Sequence, residues 1–230
     1  VDQAERAFLL AHDTDPFNKW EAGRTLARDV LIQMILTGDE PSLRLVSAFE
    51  TVLLDESLDP AFRALCLRLP SADDLAQSLK DGGHIPDPER IHSETLRLAR
   101  TIAERLQKPL ATVFTNLSDD GRFSPDAAQA GRRALRLGCL SYLNRLDGGK
   151  RAADLFAGAA NMTDMQGALS CLIEAGRGQP ELAAFDDRFR TNRLVIDKWF
   201  LLQVLHALPD QTVATARQLA AHPDFDWKNP

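Results

Sequence analysis

The chain has 230 residues, 44% hydrophobic and 26% charged, ordinary proportions for a soluble globular chain, and at this length roughly 70% of the unfolded surface is buried on folding. Its 27 Lys and Arg stand against 33 Asp and Glu, a formal net charge of −6, which argues against sequence-independent nucleic-acid binding because that work needs a net basic face. No run of about 18 apolar residues is present to span a membrane.

Helical periodicity recurs from end to end and period-two alternation is nearly absent, so the chain is predicted to be all-α. After a lead-in around Ala7 to Ala11, a long helix is expected from Phe17 to Thr37, with Ala27, Val30, Leu31, Met34 and Ile35 on one face and Gly38 as its stop. Leu45, Val46, Phe49, Val52 and Leu53 carry the next helix, and Asp59-Pro60 opens a short one. Ser71 with Asp74 suggests a capping box. Gly82-Gly83, Pro86 and Pro88 form a loop before a helix bearing Ile91, Leu98, Ile102 and Leu106, which Pro109 must end or kink. Leu110, Val113, Phe114 and Leu117 continue it. A turn is expected at Asp119-Asp120-Gly121, and a restart at Ser124-Pro125 leads to a stripe of Leu135, Cys139, Tyr142, Leu143 and Leu146.

Beyond the Gly148-Gly149 break, helices are expected near 152–156, 163–175, 181–189, 192–207 and 212–221. Short polar connections between helices of this length predict antiparallel hairpins stacked as an irregular α-solenoid or superhelical bundle, without a fixed repeat period. The three cysteines, Cys66, Cys139 and Cys171, sit among apolar neighbours with no Cys-x-x-Cys. They read as buried free thiols of a reducing, cytoplasmic setting. Arg132, Arg133 and Arg136 form a basic cluster expected to be a solvated helix face.

Chemistry-bearing motifs are sparse. The five histidines include no His-Glu-x-x-His, and His84 with His92 brackets a proline-rich turn that does not put ligands on one helical face. Nucleophile elbows and phosphate cradles are also missing. Two constellations remain. In Asn161-Met162-Thr163-Asp164, Thr163 is expected to cap a helix and Gln166 to complete the box, while Asn161 and Asp164 could face a cavity at that helix end. In Leu194 to Phe200, Asp197 and Lys198 interrupt a segment apolar around its whole circumference, which predicts a buried helix whose charges need partners. Arg193, one turn earlier, can reach Asp197, while Lys198 could snorkel or meet a carboxylate of a neighbouring helix.

Four motifs in this order add up to a resemblance: Asp15 to Ala22 (Asp-Pro-Phe-Asn-Lys-Trp-Glu-Ala), Leu53 to Pro60 (Leu-Leu-Asp-Glu-Ser-Leu-Asp-Pro), Asn161 to Asp164, and Leu194 to Phe200, with Asn229-Pro230 opening a further one. Together they resemble the C-terminal helical domain of bacterial aminopeptidase N, the zinc alanyl aminopeptidase of the gluzincin group. The resemblance implies a multidomain parent whose zinc is held by two histidines and a glutamate of another domain, and none of those residues carries over here. It implies that this chain is non-catalytic, encloses the active-site chamber and restricts access to short peptides. Residues 1–16 would lead in from a preceding domain and 17–230 would form one helical domain, truncated at its C-terminus because the family continues through more helices. Such truncation would uncover apolar surface near Leu205 and Leu219. Asn161, Asp164, Asp197, Lys198 and Asn229 are the candidate cavity-facing or structural polar residues. The remaining domains of the parent and short peptides would be the partners, with zinc a cofactor of the parent and none in this chain. The alternative is an independent helical-repeat scaffold that binds peptides or proteins on a concave face.

Overall fold

A computed structural model describes residues 1–118 and 123–228. The turn expected at Asp119-Asp120-Gly121 and the candidate Asn229 lie outside the described residues. Among those described, thirteen helices succeed one another without a strand. They fall into two compact units, Val1–Leu146 and Asp147–Pro230.

The first unit holds α1 (Gln3–His12), α2 (Pro16–Thr37), α3 (Leu43–Leu54), α4 (Pro60–Cys66), α5 (Ala72–Asp81), α6 (Pro88–Arg105), α7 (Gln107–Asn116) and α8 (Ala127–Asp147). α2 is its spine and touches α1, α3, α4, α5 and α6. Asp15 caps its start ahead of Pro16, and Gly38 closes its end at φ 78°, the left-handed conformation that glycine adopts without a Cβ penalty. The apolar face read from sequence is the buried one: Leu26, Ala27, Val30, Leu31, Met34 and Ile35 enter a core that runs from Leu10 to Leu143. α1 lies antiparallel to α2. Leu10 covers Gly23, Arg6 pairs with Asp29, and the Gln3 amide reaches Gln33 at 3.3 Å.

The break between α6 and α7 falls at Leu106, three residues before Pro109. Proline has no N–H to give the carbonyl four residues back, and its ring crowds that carbonyl, so the helix parts at Arg105 and Leu106. α8 starts later than Ser124-Pro125 suggested, because Asp126 accepts from the Gln129 N–H at 2.9 Å and acts as the cap. The basic cluster is not a solvated face. Arg133 stacks 4.8 Å from the Phe123 ring and Arg136 5.0 Å from Phe114, while Arg133 also donates to the Ser124 carbonyl. Aromatic rings contributed from outside the helix made this contact invisible to its local pattern.

The second unit holds α9 (Lys150–Gly158), α10 (Met162–Glu174), α11 (Gln179–Phe189), α12 (Arg193–Leu205) and α13 (Thr212–Ala220). Gly149 before α9 and Gly178 before α11 both abut Leu172 near the end of α10, and Arg188 at the end of α11 meets Met165 near the start of α10. α10 is therefore antiparallel to both α9 and α11. Met165, Leu169, Leu182, Phe185 and Leu202 form one cluster, and Ile196, Phe200 and Leu219 another with Phe225 against it.

Leu194 to Phe200 is buried on one side only, contrary to the reading of a helix enclosed all round. Ile196 and Phe200 are interior, whereas Leu194 is 77% exposed and Lys198 is on the surface. α12 receives contacts from α10, α11 and α13. Leu194, Lys198, Leu201 and Leu205, spaced four, three and four apart, share the open face. Leu219, expected at an uncovered surface with Leu205, is buried.

Candidate functional site

The expected cap at Thr163 is instead at Asn161. Its Oδ1 accepts from the Asp164 N–H at 2.9 Å, and its amide Nδ2 donates to Asp164 Oδ2, also at 2.9 Å. Asn wins because its carbonyl caps while its NH2 engages the carboxylate, a two-way clasp that threonine lacks. Asp164 is 7% exposed, and its Oδ1 has no hydrogen-bond partner among the described residues. The clasp puts a carboxylate at the positive end of α10, where it is stabilised, with one oxygen still able to accept from a donor.

Asp197 and Lys198 diverge on α12. Asp197 is half-buried and Lys198 is exposed. The Arg193 guanidinium pairs with Asp226 at 2.7 Å. That contact ties the start of α12 to the segment after α13. On the neighbouring helices, His206 pairs with Glu174 at 3.0 Å.

The aminopeptidase-like motifs of the first unit turn out to be helix joints. In the first, Asp15 caps α2 while Lys19, 4% exposed, turns back and donates to the carbonyls of Leu10 and Ala11 at 2.9 Å each. It satisfies carbonyls that the end of α1 leaves without an intrahelical donor. In the second, Asp55 accepts from the Ser57 hydroxyl and N–H, which holds the Asp55 carboxyl below its usual range, and Asp59 caps α4. Buried Arg63 then donates to the Leu53 carbonyl at the end of α3. Desolvation lowers its pKa from the ordinary guanidinium value. Tyr142 completes the set by donating from its hydroxyl to the Leu67 carbonyl at 2.7 Å.

One concavity was not foreseen. The first unit contains a cleft of about 1050 Å³ between α2, the α4–α5 segment, α6 and α8. Trp20, Arg24, Arg68, Asp74, Ser141 and Arg145 are among its polar and aromatic lining residues. Arg24 stacks on Trp20 and pairs with Glu21 at 3.2 Å, keeping the Glu21 carboxyl below its usual range. Asp74 is engaged by Ser71 in the capping box of α5. The sequence signal was a pair of glycines, Gly131 and Gly138, seven apart on one face of α8. A glycine inside a helix costs about 1 kcal/mol relative to alanine. Gly131 has a packing reason, since a Cβ there would sit 3.0 Å from the Ala61 nitrogen, whereas a Cβ at Gly138 would meet nothing within 4 Å.

His84 precedes α6 and His92 lies in its second turn. Asp87 caps α6 and Glu94 pairs with Arg97 at 2.7 Å, and no three His, Cys, Asp or Glu side chains are grouped to hold an ion among the described residues. Cys66, Cys139 and Cys171 are buried. Burial pushes Cys66 up to about 11 and Cys139 up to about 12, far from a reactive thiolate.

Stacked helical hairpins and caps that weld one hairpin to the next define an all-α helical-repeat domain. The chain belongs to the family described as DUF3458_C, a domain of unknown function with ARM repeats, which matches residues 3–230. It is 38% identical to the aminopeptidase N of Caulobacter vibrioides over 99% of this chain and 26% of that protein. It is 32% identical to the aminopeptidase N of Escherichia coli over 97% of this chain and 26% of that one. Among solved structures it resembles aminopeptidase A of Legionella pneumophila, crystallised in complex with aspartic acid, with a TM-score of 0.86 and 25% identity over all of this chain and 28% of that one. The chain thus spans about a quarter of the length of the curated relatives it matches. The resemblance read from the four motifs holds.

Proposed function

We propose that this chain is the non-catalytic C-terminal helical domain of a zinc-dependent bacterial aminopeptidase N, walling the chamber in which the parent removes N-terminal amino acids from short peptides. The observation that carries this reading is the match of 99% of the chain to 26% of an aminopeptidase N. Residues 1–16 lead in from the preceding part of the parent, and 17–230 form the helical domain. The described residues group no three His, Cys, Asp or Glu side chains that could hold an ion; in this reading the zinc belongs to another domain of the parent. The domain's contribution is enclosure, which keeps bulk water from the reacting centre. Its partners are the remaining domains and the peptides they admit, in the cytoplasm.

Asn161, Asp164, Asp197, Lys198 and Asn229 are assigned to the wall rather than to bond breaking. The clasp at the start of α10 supports that assignment for the first two. The test is turnover of alanyl p-nitroanilide and metal analysis on the isolated chain beside its parent. The isolated chain is expected to show neither turnover nor stoichiometric zinc while the parent shows both. Chelator-sensitive turnover by the isolated chain would refute the proposal.

A further inference from the structure

We infer that the cleft of the first unit is a docking site for an acidic, partly apolar peptide segment of a protein partner, which crosses α8 at Gly138. Three observations converge on it. The cleft is about 1050 Å³ and is lined by three arginines, Arg24, Arg68 and Arg145, against one carboxylate, Asp74, in a chain whose net charge is −6. Asp74 is engaged in its capping box and the nearby Glu21 is held by Arg24, while exposed Arg68 makes no ion pair among the described residues. Guanidinium groups are suited to carboxylates, which they can grip with two parallel hydrogen bonds.

The second observation is the floor, where Leu65, Ala99, Leu137 and the Trp20 ring give apolar contact beside the charges. Apolar anchors supply binding energy and flanking charges supply selectivity and encounter rate. The third is Gly138. Two turns earlier, Gly131 admits the backbone of α4 to within van der Waals contact of α8; Gly138 presents the same side-chain-free surface, with the counterpart position open. A glycine of this kind permits a second backbone to come close. A peptide main chain over Gly138, with a carboxylate toward Arg68 and an apolar side chain on the floor, fits these features of the cleft. The inference stands apart from the aminopeptidase reading, because a peptide titration reports on the cleft directly.

The experiment is fluorescence anisotropy of the full chain with a fluorescein-labelled Glu-Leu-Asp-Phe-Glu peptide and with its counterpart carrying lysine at the acidic positions. Saturable binding of the acidic peptide, weakened by added salt and absent for the lysine peptide, is expected. Gly138→Phe, which fills the cleft, and Arg68→Glu, a surface change, should each weaken binding about tenfold or more. Gly138→Ala should raise the melting temperature by about 2–4 °C and, by adding only a methyl group, weaken binding less than Phe does. Native helix content by circular dichroism qualifies each variant, and Arg68→Glu keeps the test decisive should Gly138→Phe unfold. No saturable binding, equal binding of both peptides, or affinity unchanged in Arg68→Glu would overturn the inference. So would tighter binding of a uridine oligonucleotide than of the acidic peptide.

Discussion

Three buried polar side chains of the first unit work on backbone carbonyls at helix ends. Lys19, Arg63 and Tyr142 each donate to a carbonyl that the helix itself leaves unpaired. Replacing Lys19 with Met removes two such bonds and leaves carbonyls dry, so a loss of about 2–3 kcal/mol is expected in urea melts. The thiols behave oppositely, as inert filler. All three should escape a disulfide reagent at pH 8 until denaturant is added. Cys66 and Cys139 are held protonated, to about 11 and about 12, while an unfolded thiol ionises nearer 8.5. Their stability contribution is therefore complete below about pH 8.5 and is lost as the pH climbs toward those values. Melting temperatures above that range test this, with Cys139→Ser at neutral pH expected to cost stability by burying a hydroxyl. Burial of the cysteines was legible from their neighbours. The roles of Lys19 and Arg63 were not, since their partners are carbonyls on the preceding helix and a main-chain acceptor leaves no mark in sequence.

The starts of α1, α2, α4, α5, α6, α8 and α10 are capped by short side chains with oxygen acceptors, and their failures are equally local. Asn161→Ala should cost about 1 kcal/mol, read from denaturant midpoints, because it removes both halves of the clasp at α10. Asp2, Asp55 and Asp126 accept local hydrogen bonds that hold their carboxyls below the usual value. The unfolded state then binds protons first on acidification, so their stabilisation is present above about pH 4 and is lost as the pH falls through the lowered values. Thermal melts between pH 7 and pH 2 should decline only at the acid end, and less steeply in Asp126→Asn. On α12 the open stripe of Leu194, Leu201 and Leu205 predicts that the isolated chain binds a hydrophobic dye. Leu201→Glu with Leu205→Glu should abolish that signal without loss of helix content. The alternation of apolar and polar residues placed nearly every helix. It misjudged α12 because an apolar circumference shows what a helix could bury, whereas its neighbours decide what it does bury.

At the scale of the whole molecule, the two units differ in how their apolar interiors are organised. The first has a continuous core from Leu10 to Leu143, threaded by α2. In the second, the clusters around Phe185 and Phe200 are each much smaller. Amide hydrogen exchange should therefore be slowest along α2, α3 and α6 and faster throughout α10 to α13. Uniform protection across both units would contradict this. Such unevenness is outside the reach of periodicity, which weighs each helix alone. The cleft escaped for a related reason: its lining comes from residues as far apart as Trp20 and Arg145, and only the Gly131–Gly138 spacing announced it.

The capping lysine and arginine carry one more implication. A carbonyl oxygen is supplied by whatever residue occupies its position, so Leu10, Ala11 and Leu53 offer the same acceptor under almost any substitution that keeps the helix. No change of a partner side chain can therefore restore a lost Lys19 or Arg63. Each joint fixes one residue type instead of a matched pair, and a second-site suppressor would have to arise from new packing elsewhere.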